Sequence, residues 1–169
     1  METNSIILSS SSQIIKDLQA LKAVFDKEDI QFAITGSLAL IMHGIDFQIM
    51  ALMPNDIDII VEDTDRSKKL LETLSLASAN AVKSTDKNYP ENSMFTFKIG
   101  YTTVNAWIDN QNRFENVGGN ADLSYFKLGK CLYPIVGISP ILIKKFGYGR
   151  IKDYKFNNSL QDLFNFYLK

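Results

Sequence analysis

Residues 54–63 read P-N-D-I-D-I-I-V-E-D, and no other run in the chain constrains the fold as strongly. An apolar series headed by alternating acids reads as a strand over Asp56–Glu62, and in a strand residues i and i+2 point to the same side. Asp56 and Asp58 therefore project together, while Ile57 and Ile59 face the other way into a core. Two carboxylates this close repel each other unless something positive sits between them. A divalent cation is the simplest remedy, and Mg²⁺ prefers carboxylate oxygens while keeping room for waters and substrate phosphates. The expectation is a magnesium site for a nucleotide at Asp56 and Asp58. The same pair on its own also suits a solvated strand end beside a turn.

The segment upstream narrows the choice. Residues 34–37 read I-T-G-S, a strand over Gln31–Thr35 broken by Gly36-Ser37 and followed by a short helix over Leu38–His43. Glycine lets a backbone approach a ligand closely, and a helix start offers free N–H groups to phosphate. The Ser37 hydroxyl adds a donor. Alone this is a common tight turn. Joined to a strand that opens with D-x-D, it pairs a phosphate cradle with a metal pair.

I-T-G-S-L-A-L-I-M-H-G followed by N-D-I-D-I-I-V resembles the signature of the nucleotidyltransferase superfamily that includes DNA polymerase β and the small antibiotic nucleotidyltransferases. Within it the chain is most similar to the bacterial branch of abortive-infection-type toxin proteins. Leu40–Gly44 and the late Lys144…Arg150-Ile151-Lys152-Asp153 resemble pieces of that branch, and the likeness spans about residues 30–155. It implies a mixed β-sheet flanked by helices, with Gly36 and Ser37 on the triphosphate and a two-metal Mg²⁺ site on Asp56, Asp58 and a third carboxylate from a neighbouring strand. Lys144, Lys145, Arg150 or Lys152 would balance phosphate charge, if they are not simply a solvated helix face. The implied reaction is attack of an acceptor hydroxyl on the α-phosphorus of a nucleoside triphosphate, the acceptor being a small molecule, RNA or protein.

The chain also departs from that pattern. The family's third carboxylate falls where Asn105 stands in T-T-V-N-A-W-I-D-N. Asparagine has one neutral acceptor oxygen, so it binds metal weakly and cannot serve as a general base. Asp109 lies on the same strand face, but about 13 Å further along at roughly 3.3 Å per residue. Its plainer reading is a strand-end turn acid. The gap between Ser37 and Asp56 holds an apolar, methionine-rich insert, D-F-Q-I-M-A-L-M-P, which suits core filling before a longer helix, a lid or a partner surface such as a homodimer contact. His43, the one histidine, reads as structural. Trp107 shares the face of Asn105 and reads as packing before base stacking. Two further readings therefore stand beside the active enzyme. One is a degenerate relative that works as a binding or regulatory partner, such as a toxin–antitoxin component. The other is an α/β domain with no nucleotide site.

The rest of the chain bounds the class. With 169 residues, 46% hydrophobic and 22% charged, it has enough for one α+β domain over 1–169, with C-terminal helices over 139–169. A net charge near −1 provides no global field for nucleic acid. The single cysteine, Cys131, excludes an intrachain disulfide framework and a cysteine-built zinc site and fits a cytoplasmic setting. No basic leader and no stretch of eighteen apolar residues is present, so neither a signal peptide nor a membrane partner is expected. The serine run Ser9–Ser12 is expected to cap an amphipathic helix built on Ile14, Ile15, Leu18, Leu21, Val24 and Phe25, with Lys16, Asp17, Lys22 and Asp26 between them. A further helix is expected over Thr64–Leu76 and a polar loop over 78–92. Strands follow at Met94–Ile99, Thr102–Ile108, Leu123–Leu128 and Leu132–Ile138, with a turn at 116–120. Ser139-Pro140 then reads as a helix start, with two helical patterns in the tail broken near Asn157-Asn158.

Overall fold

A computed structural model describes residues 8–9, 12–45, 54–78, 84–86, 89–114 and 122–148, and for 84–86, 89–93 and 144–148 only the backbone. The insert at 46–53, the turn at 116–120, Arg150, Lys152 and the second tail pattern lie outside these residues.

Helix α1 spans Gln13–Lys27, and Ile15, Leu18, Leu21 and Phe25 recur along it at helical spacing and are buried. Ser12 occupies the expected cap position, but its side chain makes no capping hydrogen bond. Asp17 is the second departure: it is not on the polar side of the helix but only 5% exposed. It sits on the same stripe as Ile14, Leu18 and Leu21 and reaches the sheet.

Strand β1 (Phe32–Thr35) runs straight into α2 (Gly36–Met42), then β2 (Asp56–Val61) and α3 (Asp65–Ala77). Thr64 caps α3, its hydroxyl oxygen accepting from the Ser67 N–H at 3.1 Å. Next come β3 (Ser84–Asp86), β4 (Tyr89–Ile99), β5 (Thr102–Ile108), β6 (Leu123–Leu128), β7 (Cys131–Val136) and α4 (Ile138–Tyr148). The expected polar loop over 78–92 is thus corrected to the short strand β3 and an extended β4. Residues 89–93 run beyond the β5 partners of β4 and pair only with β3. With one neighbour they behave as edge strand, where Pro90 and polar residues are tolerated. Helix α4 starts at Ile138, one residue before the expected Ser cap, and Pro140 falls in the first turn, where no N–H is needed.

The strands form one seven-stranded mixed sheet in the order β3-β4-β5-β2-β1-β7-β6. β1 pairs antiparallel with β2, while β2–β5 and β1–β7 are parallel. The mixed sheet with flanking helices agrees with the α+β expectation. Ile57, Ile59, Val104, Ala106, Phe95 and Phe97 project from one face into the core and are at most 5% exposed. Helix α1 covers that face: the tilted rings of Phe25 and Phe32 meet at 5.0 Å, and the Thr102 hydroxyl donates to Asp17. The acids project from the opposite face. Among the described residues no helix is long and apolar enough to cross a membrane.

Candidate functional site

One row of residues crosses four strands. Thr35 on β1 lies opposite Asp58 on β2, Asp58 opposite Asn105 on β5, and Asn105 opposite Thr96 on β4. Neighbouring strands are about 4.8 Å apart, so the four side chains stand side by side. Asp56 is two residues before Asp58 on the same face, opposite Thr103. Both acids and Asn105 are half-buried.

The hydrogen bonds run through the asparagine. Its Nδ2 donates to Asp56 Oδ2 at 3.3 Å and to Asp58 Oδ1 at 3.1 Å. Its Oδ1 accepts from the Thr96 hydroxyl at 3.2 Å. The two amide hydrogens thus bring the carboxylates to one point, where like charges would otherwise push apart.

Gly36 closes the other side. Its φ is +67°, a conformation that favours glycine, and a methyl group added there would overlap Asp58 Oδ2. The glycine is therefore required twice, for the left-handed turn and for the close approach of its backbone to Asp58. Ser37 follows it in the first turn of α2 and is half-buried.

The other expected residues lie elsewhere. Asp109 is 2% exposed at the end of β5 and does not join the pair. It accepts from the Arg113 guanidinium at 2.6 Å and from the backbone N–H groups of Gln111 and Arg113, a turn-holding role. His43 donates from Nε2 to the Val136 carbonyl at 2.8 Å, so it ties α2 to β7. Trp107 is half-buried, two residues along β5 from Asn105 and opposite Met94. Lys144 is on α4 with its backbone alone described.

Sequence reasoning did not find Thr96, which orients the asparagine. Its signal was cross-strand alignment, visible only once the β4–β5 hairpin register is fixed. Lys98 was missed too. It is exposed on the acid-bearing face of β4, opposite Thr103, and so stands about two strand spacings from Asp56. It is a described cation on that face.

Two concavities lie away from the acids. One of about 390 Å³ is lined by residues including Lys22, Asp26, Gln31 and Pro134, and another of about 80 Å³ by residues including Glu62, Asp109 and Phe114. In the first, Lys22 and Asp26 already satisfy each other at 2.7 Å. In the second, Asp109 is held by Arg113. Neither offers the convergence of polar groups seen around Asn105.

The donor set decides what fits. Two carboxylates beside a close-approach glycine suit one Mg²⁺ that arrives with phosphate oxygens as its remaining ligands. No group of three histidine, cysteine or acidic side chains that could hold a metal occurs among the described residues. Beside the two acids, Asn105 holds an amide whose hydrogens face them. A comparison with protein-family models and with curated proteins found no match to this chain.

Proposed function

We propose that the chain is a nucleotidyltransferase that moves a nucleoside monophosphate from a Mg²⁺-bound nucleoside triphosphate to an acceptor hydroxyl. The observation that carries this reading is the juxtaposition of Asp56 and Asp58 with the Gly36 turn on one sheet face. Bound there, Mg²⁺ would neutralise charge on the triphosphate oxygens as a Lewis acid. The two aspartates would hold it, and the Gly36-Ser37 turn would receive the β- and γ-phosphates. Lys98 stands on the same face and would balance phosphate charge. In the reaction the acceptor oxygen bonds the α-phosphorus, the bond from that phosphorus to the leaving pyrophosphate breaks, and the hydroxyl proton leaves. Asn105 cannot take that proton, so Asp58 or water must. A positioned base contributes about 10²–10⁴ in rate, so transfer is expected to be slower by that factor where water takes the proton.

The Asn105 amide supports a second reading. With both acids already bonded to it, the chain would bind nucleotide without transferring it and act through a protein partner.

Thermal unfolding with each of the four Mg²⁺–nucleoside triphosphates tests the site. At a hundredfold excess over Kd a ligand adds about 2.7 kcal/mol, roughly 5–10 °C for a chain of this size. The shift should need Mg²⁺ and vanish in Asp56→Asn/Asp58→Asn. No shift with any of the four would sink the nucleotide site. Release of pyrophosphate in the presence of candidate acceptors then separates the two readings.

A further inference from the structure

Asn105 has one acceptor and one amino group, and their directions are fixed by what surrounds them. The reverse orientation would aim its oxygen at two carboxylates. With the hydrogens on Asp56 Oδ2 and Asp58 Oδ1, the Thr96 hydroxyl takes the remaining oxygen. Asn105 therefore presents hydrogens, not a lone pair, to the space between the acids. A cation seated between those two oxygens would meet N–H groups and would have to break both bonds.

We propose that the Asn105 amide keeps the Asp56–Asp58 pair closed to a lone divalent cation. The inference rests on reading these acids as cation ligands. It makes Asn105 a positioning residue that holds the two carboxylates together as a metal does in a three-carboxylate site. Asp58 Oδ2 lies on the other side, against Gly36. A cation arriving with triphosphate ligands would have to break the same bonds, with the phosphate oxygens supplying the ligation that compensates.

The test is binding of Mn²⁺ alone, followed by its paramagnetic resonance signal, to the full chain and to Asn105→Asp and Asn105→Ala. Both variants remove the amide hydrogens, so both should bind Mn²⁺ roughly tenfold to a hundredfold more tightly than the parent, the range by which groups supporting a metal's ligands alter affinity. Asn105→Ala is the decisive variant if a third carboxylate prevents folding. A merely structural amide predicts the opposite signature: Asn105→Ala would melt at a lower temperature with unchanged Mn²⁺ affinity, and that result overturns the proposal. So does a parent protein that binds Mn²⁺ alone as tightly as Asn105→Ala. If Asn105→Ala gains Mn²⁺ affinity while no Mg²⁺–nucleotide raises the parent's melting temperature, the nucleotide reading fails and the role of the amide stands.

Discussion

At Gly36 a left-handed backbone meets the carboxylate of Asp58, so the smallest substitution is informative. Gly36→Ala should cost about 2 kcal/mol in urea unfolding, part from the positive φ and part from overlap with the acid. Repeating it in an Asp58→Ala background should bring the cost down to about 1 kcal/mol, the backbone share alone. An unchanged cost would mean that Asp58 moves away freely. Asp17 offers a residue-scale test by pH. Burial pushes its carboxyl up, but bonds from the Thr102 hydroxyl, the Gln13 amide and the backbone N–H of Tyr101 together outweigh that and hold it below the ordinary aspartate value. A lowered folded value gives stability that is complete above the unfolded value, about 3.9, and is lost as pH falls through the folded one. Asp17→Asn should therefore be about 2–4 kcal/mol less stable near neutrality, with the gap narrowing below about pH 4. Parallel stability curves for the two proteins would show that the carboxylate contributes no charge-dependent term. The buried Asp17 was open to sequence reasoning, since it falls on the apolar stripe of its own helix. The Thr96 contact was not, because nothing local marks which threonine will face Asn105.

Elements whose signals are local were legible, and elements defined by a distant neighbour were not. The strand over Asp56–Val61 follows from alternation, and α3 from Asp65 in its first turn and the lysines behind it. Thr64→Ala should lower stability by about 1 kcal/mol while Thr64→Ser retains it, as read by chemical denaturation. Neither should alter nucleotide-dependent melting, because the cap lies at the far end of β2 from Asp56. The start of β4 escaped notice because polar residues and Pro90 in a two-strand edge look like loop. The tie between His43 and Val136 crosses 93 residues, so its structural role was inferred only from an apolar neighbourhood. His43→Ala should cost about 1 kcal/mol through the lost bond and leave any pyrophosphate release unchanged. A large fall in that release at equal stability would place His43 in the reaction.

At the scale of the whole molecule, alternation along the strands told which side is core, while the mixed sheet flanked by helices was expected only from the resemblance to nucleotidyltransferases. The strand order was not foreseeable, since β1 takes β2 and β7 as neighbours and β2 takes β5, none adjacent to it along the sequence except the first. Parallel partners need long connections, and the site inherits that property: Asn105 and Asp58 are 47 residues apart when they meet. Such non-local pairing places a chain among folders that take milliseconds to seconds, because loop closure is opposed by chain entropy before any contact compensates. In refolding from denaturant, early fluorescence or dichroism changes should therefore precede the ability to bind nucleotide, which should appear only with the last phase. A chain emerging from the ribosome would likewise carry both acids for some time with neither amide nor cation between them. Their mutual repulsion would then be part of the barrier to folding, to be relieved at the moment β5 docks.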